Sequence, residues 1–99
     1  MDRIHHVAVQ VEDIGKAVAW YREQFVCDVQ YQDATWALLG FDNIGIALVL
    51  PGQHPPHICI PRKDAGRFGP LATHRDGTAS VYIRDPSGNA LEILDLDRH

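Results

Sequence analysis

Residues 80–94 constrain the fold most, because they have the pattern of a β-hairpin. A turn sequence, residues 85–89, separates two segments in which the residues alternate. Its proline presets φ, its glycine tolerates positive φ, and its Asp and Asn side chains bond to nearby backbone groups. In the second strand Leu91 and Ile93 point to one face and Glu92 to the other. An ionised carboxylate is costly to bury alone, so Glu92 needs an edge position, a salt bridge or a metal ion.

The composition is that of an ordinary globular protein of one domain. The chain has 99 residues, of which 45% are hydrophobic and 22% charged, and its net charge is −4 at pH 7. The negative charge argues against nucleic acid as a partner. No apolar run is long enough for a membrane-spanning helix, and the N-terminus begins with a strand pattern rather than a signal peptide. Cys27 and Cys59 are too few for a disulfide framework, so we expect a cytoplasmic protein with reduced thiols.

The first half of the chain has the periodicities of a β-α-β-β-β module. Residues 4–11 alternate as a strand, and Asp13 is placed to cap a helix over residues 14–24. Three further strands are predicted over residues 27–32, 35–41 and 44–50. In the last of these, Ala47 lies on the face opposite the large apolar residues.

The second half has the pattern of a shortened copy of the first. A Pro-rich linker precedes a strand over residues 57–60, and the hairpin strands cover residues 78–84 and 89–94. Residues 62–77 are irregular, with glycine and proline breaks, and we expect only a short helical turn near residues 64–68.

The alternation of residues along the predicted strands places two histidines and one glutamate on the face opposite the apolar residues. In three strands one face is built of Val, Ile or Leu, and the opposite face carries His6, His57 and Glu92. If one curved sheet contains these strands, the three side chains enter its concave side. Two imidazoles and one carboxylate form a facial set with open metal positions, which suits Fe(II) and also Mn, Ni, Co or Zn. The alternative is that the histidines are hydrogen-bonded structural residues and Glu92 is a surface charge.

Four segments of the chain resemble the vicinal-oxygen-chelate superfamily, which includes glyoxalase I, methylmalonyl-CoA epimerase, extradiol dioxygenases and bleomycin-resistance proteins. The segments are HHVAVQVED (residues 5–13), AVAWYR (17–22), PHICI (56–60) and YIRDPSGNALEI (82–93). The resemblance implies an α+β fold of paired βαβββ modules, residues 1–50 and a shortened 57–96. In that fold the modules form a curved mixed sheet around a metal cavity.

The resemblance also implies a metal site. Its usual ligand positions correspond to His6, Ala47, His57 and Glu92, and three of these are the residues that strand phase selects. Ala47 has no ligand atom, whereas glyoxalase- and epimerase-like members carry Glu or Gln there. The remaining three ligands are similar to those of extradiol dioxygenases, which are much longer chains. The implied cofactor is one divalent ion, and the implied substrate is a small molecule that chelates it through two neighbouring oxygens.

Three residues are candidates for catalysis. Glu92 would be both ligand and base in a lyase or isomerase. His54, in the linker, is a candidate acid-base group, with an exposed loop histidine as the alternative. Tyr82 is a candidate hydrogen-bond donor to substrate, with a core aromatic as the alternative. Glyoxalase-like lyase or isomerase chemistry and dioxygenase chemistry both stay open, and so does a metal-free drug-binding protein of the bleomycin-resistance type.

The remaining polar residues and the short chain support three further expectations. Cys59 is interpreted as a small core residue rather than a nucleophile. Four residues border the irregular stretch and are interpreted as a solvated loop, with attraction of an anionic substrate as the alternative: Arg62, Lys63, His74 and Arg75. Because a chain of this size leaves apolar surface uncovered, and because modules pair in the family it resembles, we expect a homodimer.

Overall fold

The computed structural model describes residues 1–74 and 76–97, so Arg75, one of the predicted loop residues, lies outside the described residues. The chain divides into two compact units, His6–Pro56 and Met1–His5 together with His57–His99. Each unit contains four strands, in parallel and antiparallel pairs, and its own hydrophobic core. Within the described residues, no helix is both long and apolar enough to span a membrane.

The His6–Pro56 unit is the complete module. Its elements are β1 (His6–Gln10), α1 (Ile14–Gln24), β2 (Asp28–Gln32), β3 (Trp36–Gly40) and β4 (Gly45–Val49). The strands lie in the order β2-β3-β4-β1, with β1 parallel to β4 and the other neighbours antiparallel. The predicted helix is confirmed with its cap, since the Asp13 carboxylate accepts from the Lys16 backbone N–H at 2.9 Å.

One face of α1 packs on the sheet of this unit and forms its core. Ile14 and Val18, one turn apart, are buried against Leu39 and Leu48, which are fully buried in β3 and β4. The helical spacing of apolar residues therefore identifies the packed face correctly. Phe25 is the exception to that stripe, because it follows the last helical residue and remains 51% exposed.

The second unit keeps the strands of the module and loses its helix. Its elements are β5 (His57–Arg62), a 3₁₀ helix (Ala65–Phe68), β6 (Ala72–Thr73), β7 (Ala79–Arg84) and β8 (Ala90–Asp95). The strand order is β5-β8-β7-β6, with β5 parallel to β8 and the other neighbours antiparallel. The predicted short helical turn is confirmed, whereas β6 lies in the stretch for which we predicted no strand. The predicted α+β class, with a shortened second module, is confirmed.

The β7–β8 hairpin has the predicted turn. Gly88 has φ of 87°, a left-handed conformation that glycine adopts without steric cost. The Asp85 carboxylate accepts from the backbone N–H groups of Ser87 and Asn89, both at 2.9 Å, and from the Asn89 side-chain amide at 2.9 Å. These bonds, with the Asn89 side chain first, lower the pKa of Asp85. The turn therefore fixes the register in which β8 presents Glu92.

The faces of this second sheet have opposite characters. Val81 and Ile93 pack with Ala65 of the 3₁₀ helix and form the apolar core on one face. The other face carries His57 and Glu92, each of which is only 7% exposed. The apolar core on one face thus stabilises the strands that carry His57 and Glu92 on the other face.

Candidate metal centre

Strand register brings the candidate residues of the second unit to one face. Glu92 of β8 lies opposite Cys59 of the parallel β5 and opposite Tyr82 of the antiparallel β7. Residues directly opposite each other in a ladder project to the same face of the sheet. His57, two positions before Cys59, shares this face by alternation. The sequence prediction that His57 and Glu92 share a face is therefore confirmed.

His57 and Glu92 meet through one atom each. Nε2 of His57 lies 3.2 Å from Oε1 of Glu92, and both side chains are buried. Histidine nitrogens and carboxylate oxygens bind divalent ions at about 2.0–2.2 Å, which places two ligand atoms of one ion roughly 2.9–3.5 Å apart. The observed separation fits that range. The pair can therefore share a proton, or hold a metal ion in its place.

The second oxygen of Glu92 has its own partners. Ser80 Oγ donates to Oε2 at 2.8 Å, and Nε2 of His74 lies 2.6 Å from the same Ser80 hydroxyl oxygen. Ser80 is buried at 1% exposure, and His74 is half-buried at the edge of the face. Ser80 was not identified from the sequence, and His74 was considered only as a loop residue that could attract an anionic substrate. The alternation Ser80, Tyr82 in β7 would have identified Ser80, but nothing local to His74 would have done the same.

Cys59 and Tyr82 keep their protons beside this carboxylate. Burial is the main cause that raises the pKa of the Cys59 thiol, and the charge of Glu92 and a hydrogen bond to it raise it further. Burial also raises the pKa of Tyr82, followed by the charges of Glu92 and Cys59. The Tyr82 ring meets the His57 ring edge to face, with centroids 5.2 Å apart. Both groups are therefore hydrogen-bond donors at neutral pH, and Cys59 is not a thiolate nucleophile.

Three of the sequence-predicted residues belong to the His6–Pro56 unit. His6 is the first residue of β1 and is half-buried, and Gly45 lies opposite it in β4. A Cβ atom added to Gly45 would stand 3.0 Å from Cδ1 of Leu38 and 3.4 Å from the Cβ of His6, so this position has little space for a side chain. Ala47, opposite Ala8, is buried and has no ligand atom. His54 is half-buried in the segment between β4 and β5.

The two units repeat one arrangement of strands. In each, a histidine opens a strand that runs parallel to a neighbour, and a small residue lies directly opposite it: Gly45 for His6 and Ala90 for His57. Two positions further along the neighbour strand stand Ala47 in one unit and Glu92 in the other. Ala47 and Glu92 therefore occupy equivalent positions, and the chain has a carboxylate at only one of the two.

The side-chain hydrogen bonding within the described residues is complete. Every buried side-chain nitrogen or oxygen in residues 1–74 and 76–97 has a hydrogen-bond partner. The buried carboxylate of Glu92 thus has partners for both of its oxygens, which offsets part of the cost of its burial.

Comparison with known proteins identifies the fold. No family model matches the sequence, and no curated protein matches it significantly. The structure is similar to that of a glyoxalase/bleomycin resistance protein/dioxygenase superfamily member from Vibrio splendidus 12B01, with a TM-score of 0.72 at 11% identity. That match covers 96% of this chain and 99% of the other. It is also similar to methylmalonyl-CoA epimerase from Mycobacterium tuberculosis, with a TM-score of 0.74 at 15% identity over 94% and 87% of the two chains.

Proposed function

We propose that this chain, which has the fold of the vicinal-oxygen-chelate superfamily, is a metal-dependent enzyme. Its substrate would be a small molecule that chelates a divalent ion through two neighbouring oxygens. The observation that carries the proposal is the buried approach of His57 Nε2 to Glu92 Oε1 at 3.2 Å. The third proposed ligand is His6, on the grounds of strand phase and the resemblance to that superfamily.

The chemistry of the donor set favours a metal ion. An imidazole nitrogen and a carboxylate oxygen are the ligands that Fe, Mn, Ni, Co and Zn share. A buried carboxylate attracts a divalent cation, and that attraction would offset the cost of removing the carboxylate from water. Ser80 holds the other carboxylate oxygen at 2.8 Å, as is usual for the outer partners of metal ligands.

The residues around the proposed ligands have distinct parts in the reaction. When bound, the ion would polarise the substrate oxygens and stabilise negative charge on them. The Tyr82 hydroxyl, whose pKa is raised by burial and by Glu92, would donate a hydrogen bond to a substrate oxygen. Glu92 would accept and return the substrate proton in a lyase or isomerase, and His54 is the candidate acid-base group in a dioxygenase. Ala47 supplies no ligand, so one more position is left for substrate or water.

An anaerobic reconstitution distinguishes the two reactions. The protein is loaded with Fe(II) without oxygen and is then assayed in oxygenated buffer with a panel of catechols and a panel of 2-oxoaldehydes with thiols. Oxygen uptake with a ring-cleaved product supports the dioxygenase, and thioester formation without oxygen uptake supports the glyoxalase-like lyase. A Glu92→Gln variant is the control, since it keeps the shape of the side chain and loses the charge.

Ala47 favours a second candidate function. An apolar residue at an otherwise usual ligand position suits a metal-free protein that binds a planar drug, as in bleomycin resistance. We rank this candidate second because the chain keeps the other three ligand residues. Tight binding of such a drug by metal-free protein, with no turnover in any metal form, would replace the enzyme proposal.

We also propose that the protein is a homodimer. Three large apolar side chains are exposed at the C-terminal end of α1 and just beyond it: Trp20, Phe25 and Val26. Contiguous exposed apolar surface of this kind is typical of an interface. Light scattering should give the mass of two chains, and a mass of one chain at every micromolar concentration would contradict the proposal.

A further inference from the structure

We propose that Ser80 and His74 are positioning residues that make Glu92 bind the metal ion through Oε1 alone. The inference rests on the metal site proposed above. It goes beyond that site because it specifies how the carboxylate coordinates and which residues enforce this. Ser80 contacts Glu92 and His74 contacts Ser80, so both residues would act through Glu92.

The hydrogen bonds form a directed chain. The Ser80 hydroxyl has one proton, which it donates to Glu92 Oε2 at 2.8 Å. The same oxygen lies 2.6 Å from His74 Nε2, so it must accept there, and His74 carries its proton on Nε2. His74 Nε2 is 3.6 Å from Oε2, too far for a direct hydrogen bond. Ser80 therefore transmits the effect of His74 to the carboxylate.

The two oxygens of Glu92 are thereby made unequal. Oε2 is engaged by a buried hydroxyl whose orientation is fixed by the imidazole behind it. Oε1 faces His57 Nε2 at 3.2 Å. Oε2 keeps a second lone pair, so the bond from Ser80 does not by itself block an ion. That bond does hold the carboxylate in the orientation in which Oε1, rather than Oε2, faces His57 Nε2. A carboxylate held in this way binds through one oxygen and leaves more positions for substrate.

The β6–β7 hairpin places His74 for this contact. Ala72 lies opposite Ser80 in the ladder, so His74, two residues further along, projects to the same face. The connection is closed by the His74 N–H, which donates to the Thr78 carbonyl at 2.7 Å. It is also fixed by Gly77, which has φ of 88°. The short strand thus holds the imidazole over the edge of the site.

The test uses zinc alone and two measurements on each variant. Affinity is measured by calorimetry, and the carboxylate binding mode by zinc-induced infrared difference spectra. A carboxylate bound through one oxygen has a wider separation between its two stretching bands than one bound through both. The variants are Ser80→Ala, His74→Ala and His74→Gln, which keeps an N–H donor. Ser87→Ala, an exposed serine of the β7–β8 turn, is the matched control.

The expected result is a wide band separation in wild type, Ser87→Ala and His74→Gln. His74→Ala and Ser80→Ala should show a narrower separation and a loss of affinity of roughly 10–100-fold. His74→Ala removes only a half-buried ring, so it remains informative if Ser80→Ala fails to fold. Wild-type affinity and band separation in both alanine variants would overturn the inference while leaving the metal site in place. If wild type itself shows no zinc binding, the proposed function falls as well.

Discussion

His57 reaches Glu92 diagonally across two parallel strands, and the residue directly opposite His57 is Ala90. The small side chain of Ala90 leaves the imidazole free to lie along β8 toward the carboxylate. The same relationship occurs in the other unit, where Gly45 lies opposite His6. Small residues therefore lie opposite both of the histidines that are proposed as metal ligands.

The first prediction concerns Ala90. Ala90→Leu should push the His57 ring away from Glu92, weaken metal affinity at least tenfold, and destabilise the protein by about 1–3 kcal/mol through overpacking. Ala19→Leu makes the same change at an exposed position of α1, away from this face, and should alter neither quantity. Calorimetric metal titration and urea denaturation measure the two effects. Unchanged affinity in a folded Ala90→Leu protein would show that this space is not needed.

A second prediction separates metal binding from catalysis at Tyr82. The hydroxyl keeps its proton at neutral pH, because burial and the neighbouring Glu92 raise its pKa. Tyr82→Phe should therefore leave metal affinity within about threefold of wild type and lower turnover by about 10²-fold, the usual effect of losing one donor to a developing oxyanion. Steady-state kinetics on the substrate found in the panel would measure it. An equal loss of metal affinity and of turnover would instead show that Tyr82 positions the metal ligands.

The third prediction uses two glycines that receive the same substitution. Gly88 has φ of 87°, and a Cβ atom added there would meet only open space, so Gly88→Ala has only a backbone cost, about 1 kcal/mol. Gly15 lies in α1, where an added Cβ meets only the Asp13 carboxylate at an ordinary 3.6 Å. Gly15→Ala should stabilise the protein by about 0.4–1 kcal/mol. Thermal denaturation of both variants should give shifts of opposite sign, and equal shifts would contradict the turn geometry.

The fourth prediction concerns acid stability and Asp85. Hydrogen bonds from Asn89 and Ser87 lower its pKa in the folded state below the unfolded value of about 3.9. The ionised form therefore stabilises the folded chain above that value, and this contribution is lost as pH falls through the lower folded pKa. Asp85→Asn should lower the free energy of unfolding at pH 7 and flatten its dependence on pH below about 4. Urea denaturation across that pH range measures the effect. If the free energy of unfolding has the same pH dependence in wild type and in Asp85→Asn, the carboxylate contributes nothing.

Local patterns in the sequence predict most of the fold. The helix over Ile14–Gln24 has both a cap and a clear apolar spacing, and the β7–β8 hairpin has a turn sequence with few alternatives. Strand ends are less determined by such patterns. β5 extends to Arg62 rather than ending at Ile60, because its pairing with β8 continues through Pro61.

The candidate site was predictable only where residues alternate along a regular strand. His57, Tyr82 and Glu92 lie in such strands, so alternation is enough to place them on one face. His74 follows a two-residue strand in a stretch with no periodicity, and only the pairing of β6 with β7 brings it to Ser80. Contacts of this kind depend on tertiary pairing rather than local pattern.

The metal site is tested most directly by the metal content of the purified protein, three ligand variants and one control variant. Protein prepared without chelators is equilibrated in turn with Fe, Mn, Ni, Co and Zn, freed of excess metal, and analysed for each element. We predict one ion per wild-type chain with at least one of these metals, and a much lower content in His57→Ala, Glu92→Ala and His6→Ala. Ser87→Ala should match wild type. Equally low metal content in wild type and in all three ligand variants, under saturating conditions, would contradict the metal site and the enzyme built on it.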